Sequence, residues 1–230
     1  HTTWSDGDLT VRELVDLVGG RGFDVLCVTD HVVRSDDPWL DATQRLERGV
    51  GREEYASYLA ELESEAQRAR ALYDLLLIPG LELTYNDLDA ARAAHAVAIG
   101  LRTFVSVDAG LDGAIETAAQ AGAALVAAHP FDGEPASCAA RLTQRWARDE
   151  ALRGLAHRFE LFNRTQLFGW VADAGLPAVA AGDIHVAAHL SGWKTLLPCR
   201  RNEESVVGYL RSPRPVYLAR LERHAACLAA

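Results

Sequence analysis

The chain has no methionine, a single lysine (Lys194) and four cysteines, none in a C-x-x-C pair. Cys27, Cys138, Cys199 and Cys227 lie far apart, which removes zinc-ribbon and dithiol redox readings. Scattered thiols fit a reduced protein, and a cytoplasmic location is the expectation. Basic charge is also short: the formal net charge is -9, the wrong sign for a nucleic-acid groove, so a nucleic-acid polymer is not an expected partner. No apolar run approaches the roughly 20 residues a membrane helix needs, and no charged-then-apolar leader opens the chain, so no membrane partner is expected. Missing too is a glycine-rich phosphate loop, which weighs against a doubly wound nucleotide-binding sheet. With no initiator methionine, residue 1 is read as falling inside a motif, with the natural start upstream.

What is present suits one large domain. At 230 residues and 49% hydrophobic content, the chain can bury a sizeable core. Strand-like and helix-like runs alternate along it. Leu9 to Gly20 has helical spacing with Asp8 or Thr10 as cap; Phe23 to Val28 is a short apolar run of the kind buried on both faces. Arg52 to Leu72 is amphipathic, with Tyr55, Leu59, Leu62, Ala66 and Ala69 on one side. Strand-like runs follow at 75–83, 94–99, 124–128, 158–162 and 178–181. Helices are expected near 111–121, 138–152, 166–174 and 203–210, and a last extended piece at 215–218. Such alternation predicts a parallel sheet with crossover helices, and a β/α barrel is preferred.

The chemistry sits at the ends of those runs. His1 and Asp6 open the chain, His31 ends the next apolar run, and Glu82, His95, His129, Asp183 and His185 follow at later ends, where barrel loops build active sites. Imidazoles mixed with carboxylates suit manganese, iron or zinc better than calcium or magnesium. His129 precedes a proline, so its backbone is expected to be extended. Asp183 and His185, two apart, would point to one side of an extended segment. Taken singly, His31 reads more readily as structural, and His95 as well as a hydrogen-bonded core histidine as a ligand.

His1-Thr2-Thr3-Trp4-Ser5-Asp6-Gly7 resembles the opening motif of the polymerase and histidinol phosphatase (PHP) domain, D-L-H-x-H-T-x-x-S-D-G, from its second histidine onward. Thr29-Asp30-His31, Gly80-Leu81-Glu82, His129-Pro130 and Asp183-x-His185 look like the family's later motifs, in the same order. The resemblance implies a distorted (β/α)7 barrel of the PHP type holding two or three divalent metal ions. It implies His1, Asp6, His31, Glu82, His129, Asp183 and His185 as ligands, with His95 a further one. The first histidine of H-x-H would lie two residues before His1.

Such a centre would lower the pKa of a bridging water and stabilise charge in an in-line phosphoryl transition state, with Asp6, His31, Glu82 and Asp183 as its catalytic members. Glu82 and Asp6 are candidate bridging carboxylates, and Asp30, beside His31, is a candidate acceptor that orients a ligand, equally readable as a loop carboxylate. Arg164, His189 and Lys194 are candidate contacts for a small phosphorylated substrate, each equally readable as a surface or packing residue. Glu160 reads either way, and the stretch from Arg34 to Arg52 as a lid or a solvated loop. The expected activity is hydrolysis of a small phosphomonoester or a nucleotide or cyclic phosphate. An amidohydrolase-like cleavage of C–N bonds is the rival chemistry, although it often needs a bridging modified lysine and Lys194 is the one lysine. A non-catalytic metal-binding PHP module is the third reading. The oligomeric state is left open by the sequence.

Overall fold

A computed structural model describes residues 1–38, 49–133 and 143–222. Nearly continuous apolar runs become strands covered on both faces. A seven-stranded mixed sheet is built from β1 (Val25–Val33), β2 (Leu76–Tyr85), β3 (Ala94–Ile99), β4 (Ala124–Ala128), β5 (Arg158–Asn163), β6 (Gln166–Leu167) and β7 (Ala178–Ala181). Neighbours run in the order β1-β2-β3-β4-β5, with β6 and β7 both pairing β5.

The expected all-parallel sheet is corrected in two places: β3 is antiparallel to both β2 and β4, and the short β6 is antiparallel to β5. The link from Tyr85 to Ala94 has no helix in it, and a connection that short returns a strand antiparallel. Strands β1, β2, β4, β5 and β7 share one direction. The start of β3 therefore lies beside their C-terminal ends. No strand pairing joins β1 to β7 among the described residues, so the sheet is open between those two edges.

One face packs on α1 (Val11–Gly19), α2 (Tyr55–Tyr73) and α3 (Leu111–Gln120), where Leu14, Tyr58, Leu62, Leu81, Leu83 and Ile115 are buried. Thr10, not Asp8, caps α1: its hydroxyl accepts from the Glu13 N–H, and the Glu13 carboxylate accepts from the Thr10 N–H in return. The opposite face buries Ile78, Ile99, Val126 and Val179 against Val206 and Leu210 of α7 (Glu203–Arg211). Arg158, 1% exposed, donates to the carbonyls of Tyr209, Leu210, Ser212 and Arg214, fixing the C-terminal end of α7 to the start of β5.

Other boundaries shift modestly. His31 lies inside β1, which runs on to Val33, rather than at its end. Residues 166–174 are not one helix: Gln166–Leu167 pairs with β5 and only α6 (Gly169–Asp173) is helical. The expected 138–152 helix is two single turns, α4 (Arg145–Arg148) and α5 (Glu150–Arg153), its first part outside the described residues. A two-stranded sheet of β8 (Gly192–Leu196) and β9 (Tyr217–Leu221) was not expected from periodicity. Cys138, Cys227 and most of the lid candidate, at 39–48, lie outside the described residues. No helix among the described residues is long and apolar enough to cross a membrane.

Candidate metal centre

Each ligand candidate reaches the same edge of the sheet by a different backbone device. His31 and Glu82 are register partners on adjacent parallel strands, so their side chains share a face. His95, the second residue of β3, lies opposite Thr84, two residues beyond Glu82 on that same face. His1 and Asp6 come from the opening loop, which a buried carboxylate holds down. Asp30, fully buried, accepts from the Thr2 N–H (2.6 Å), the Thr2 hydroxyl (2.9 Å) and the Ser5 hydroxyl (2.6 Å). Its work is to anchor the loop carrying His1 and Asp6, rather than to orient His31, the ligand beside it. Gly7 completes the loop: a Cβ there would stand 2.6 Å from the His1 carbonyl. His31 is oriented by Thr84, whose Oγ1 lies 2.6 Å from its Nδ1.

His129, Arg164 and Asp183 follow the ends of β4, β5 and β7, and all three adopt left-handed backbone (φ 29°, 55° and 43°). Positive φ on non-glycine residues costs roughly 1–3 kcal/mol each and gathers at functional sites. The extended backbone expected at His129 and across Asp183–His185 is therefore corrected: a sharp turn aims these side chains. The turn at His129 is held by Glu160, whose Oε2 accepts the His129 N–H at 2.7 Å, and by the Thr143 hydroxyl, which donates to the His129 carbonyl.

All eight candidates converge. His1 Nε2 lies 3.2 Å from Glu82 Oε2 and 3.3 Å from Asp183 Oδ1. Asp6 Oδ1 lies 3.2 Å from His185 Nε2 and 3.5 Å from His31 Nε2. Glu82 Oε1 faces His95 Nδ1 at 3.0 Å and His129 Nε2 at 3.5 Å. The rings of His31 and His185 each stack on His1 at 4.2 Å between centroids. His1, Asp6, His31 and His185 form one group able to share an ion, and His31, Glu82 and His95 a second. His95 is the least free, since Asn86 Oδ1 holds its Nε2 at 2.9 Å.

Electrostatics show what these groups lack. Burial alone would lower the pKa of His1, but Asp183 and Glu82 hold it well above the ordinary histidine value. Burial opposes and Glu82 raises His129, to about 9. Burial would raise Asp6, yet His185 and His31 bring it down to about 2. His31, buried and beside His1, drops to about 4. Protons on imidazoles thus occupy the role of cations among three carboxylates. Two buried atoms, His1 Nδ1 and Asp6 Oδ1, still have no hydrogen-bond partner among the described residues. Lone-pair donors of mixed N and O type, buried and unsatisfied, fit divalent metal ions.

The substrate candidates fall into two places. Arg164 donates to Asp183 through Nη2 (2.7 Å to Oδ2) and Nε (3.0 Å to the carbonyl), and its Nη1 lies 3.5 Å from His189 Nε2. Lys194 points elsewhere, its Nζ 3.2 Å from the Trp193 carbonyl, in a cavity shared with Glu82 and Asp183. Burial lowers Lys194 to about 8. The unfolded chain then binds more protons than the native one between about pH 8 and the ordinary lysine value, so Lys194 makes native stability rise with pH across that window. Lys194→Met is expected to remove that rise, read as Tm against pH on metal-free protein; an unchanged slope would show that the ammonium is solvated.

Thr84, Asn86, Thr143 and Glu160 complete the neighbourhood. Of these, only Glu160 was singled out by the sequence, as a polar residue on a strand that reads either way.

Taken together, fold and site define a mixed α/β domain with a buried histidine–carboxylate cluster at one sheet edge. No family model matches the sequence, and no curated protein does. Among solved structures, the chain is similar to a two-domain protein of Bacteroides vulgatus described as containing a predicted PHP-like metal-dependent phosphoesterase. That likeness has a TM-score of 0.64 at 19% identity and covers 95% of this chain and 62% of the other, so the chain spans less than two thirds of that protein's length. A Bifidobacterium adolescentis protein with a provisional metal-dependent phosphoesterase description is also similar, at 17% identity and a TM-score of 0.49, over 81% of this chain and 86% of that one. At these identities the first likeness establishes the fold.

Proposed function

We propose that the chain is a metal-dependent phosphoesterase of the PHP type, its curled sheet a distorted (β/α)7 barrel. It hydrolyses a small phosphomonoester or a nucleotide or cyclic phosphate using two or three divalent cations (manganese, iron or zinc). The observation that carries the reading is the convergence of eight imidazoles and carboxylates, two of them with unsatisfied buried atoms. His1, Asp6, His31 and His185 would hold one ion, and His31, Glu82 and His95 another, with His129 beside Glu82 and Asp183 beside His1. Ions at that place supply activated water at neutral pH and positive charge for the phosphoryl oxygens.

The chain's own groups do the positioning. Arg164 fixes Asp183 by one hydrogen bond to its carboxylate and one to its backbone carbonyl, and presents its remaining edge, beside His189, to an anionic substrate. Lys194, partly desolvated in the cavity that Asp183 also lines, would give a proton to a leaving oxygen. Its Nζ turns to the Trp193 carbonyl, 3.2 Å away, which does not favour the amidohydrolase-like alternative, in which a modified lysine bridges the metals.

The test is hydrolysis of p-nitrophenyl phosphate and its bis-ester by manganese-loaded protein. Turnover of at least one, abolished by chelator and by Asp183→Ala with the circular dichroism spectrum preserved, is expected. Bound metal with neither ester cut would leave a metal-binding module and overturn the catalytic reading.

A further inference from the structure

His95 sits between two acceptor oxygens. Its Nδ1 lies 3.0 Å from Glu82 Oε1, and its Nε2 lies 2.9 Å from Asn86 Oδ1. A neutral imidazole carries one N–H and one lone pair, so it satisfies only one of the two. At the other, lone pair meets lone pair, a contact that a cation resolves. Which nitrogen keeps the proton therefore decides which one can bind a metal ion.

The choice is made outside the cluster. Asn86 is buried just past the end of β2, and its Nδ2 donates to Asp37 Oδ2 at 3.0 Å. A carboxylate only accepts, so this bond fixes which end of the amide is nitrogen and turns the oxygen to His95. Asp37, itself buried, follows β1 closely in the chain. The Asn86 backbone is pinned as well: Arg34 donates to its carbonyl through Nη2 (3.1 Å) and lies over the Tyr85 ring at 4.2 Å. On the other side, Trp146 Nε1 of α4 donates to the His95 carbonyl at 2.9 Å. Ring and amide are thus both held at their backbones.

We propose that Asp37 and Asn86 are positioning residues for the metal centre. Through them the His95 proton stays on Nε2, and Nδ1, beside Glu82 Oε1, becomes the metal-binding atom. Turning the amide over to suit the other tautomer would set its oxygen against the Asp37 carboxylate, leaving buried acceptors unmatched. Carboxylates commonly orient a ligating histidine directly; here the carboxylate acts through an amide. The inference rests on the metal-binding part of the proposed function and not on the reaction catalysed.

Long-range proton–nitrogen NMR correlation on zinc-loaded protein tests it, because the spectrum tells Nδ1 from Nε2 in each histidine. His95 is expected to show a metal-bound Nδ1 and a proton on Nε2. Zinc on Nε2, or a His95 ring untouched by bound zinc, would overturn the proposal and leave the metal centre standing. No zinc bound at all would overturn the metal-centre reading and the proposal with it. Asn86→Leu removes the acceptor and is expected to weaken zinc binding about 10–100-fold with the circular dichroism spectrum preserved. Asp37→Asn combined with Asn86→Asp reverses the hydrogen bond between the two side chains but again turns an oxygen to His95. That pair is expected to recover most of the affinity and the wild-type His95 spectrum. Should Asn86→Leu fail to fold, the exchanged pair and the wild-type spectrum decide the matter. Undiminished zinc affinity in Asn86→Leu, or an exchanged pair in which His95 binds zinc through Nε2, would show that the amide only fills space.

Discussion

Glu82→Gln is expected to lower metal affinity by at least roughly a hundredfold and turnover by about 10²–10³-fold, while leaving the fold in place. The size follows from its position. Glu82 is 2% exposed, and its two oxygens lie within 3.9 Å of His1, His31, His95 and His129. Glutamine keeps the volume and removes the charge, so the lesion is electrostatic rather than steric.

Without metal, the same substitution has a signed consequence. Glu82 is the main group raising His129 to about 9 against the effect of burial. A raised histidine pKa contributes stability that is fully present below the unfolded value, near 6.5, and is lost as pH rises through about 9. In Glu82→Gln, His129 should titrate well below 9 and this contribution should vanish. Histidine resonances followed by NMR from pH 5 to 10 would read it directly; an unmoved His129 titration would mean that Glu160 or Asp183 supports the charge instead.

Asp30→Ala carries the second large effect, and it acts from behind the site. Its carboxylate is fully buried and accepts three hydrogen bonds from Thr2 and Ser5. Removing an acceptor from buried donors costs about 1–3 kcal/mol, and more for a charged group, so a loss of roughly 3 kcal/mol in unfolding free energy is expected. Released from β1, the loop would carry His1 and Asp6 out of position, and metal affinity should fall with stability. Asp30→Asn, which retains an oxygen for the Thr2 and Ser5 donors, should recover most of the stability. Urea denaturation paired with metal titration checks both. Full metal affinity in Asp30→Ala would show that the loop needs no anchor.

The converging set was legible partly because Glu82, His129, Asp183 and His185 follow apolar runs, and otherwise through the resemblance of the motifs, since His1 and Asp6 stand in the opening loop and His95 near the start of β3. The strands between them were legible because both faces are buried, so the runs are nearly unbroken. Local conformation at the ligands was not. His129 and Asp183 turn left-handed, and the stabilising partner of His129 is Glu160, thirty-one residues away on the next strand. No periodicity encodes such a contact. The reversal of β3 escaped because Ala94–Ile99 looks like any apolar strand, its direction being set by the short link before it. Asp30 was visible beside His31 but was assigned the wrong client, since its partners Thr2 and Ser5 meet it only through tertiary folding. β8 was missed because Gly192–Leu196 has only mixed burial, with one fully buried position and an exposed end.

An anomalous difference map from crystals grown with manganese or zinc tests the metal-centre assignment most directly. Two or three peaks within coordinating distance of Glu82, Asp6 and Asp183, surrounded by the histidines named above, are the predicted result. Peaks confined to other surfaces, with those eight side chains still paired only to one another, would contradict it.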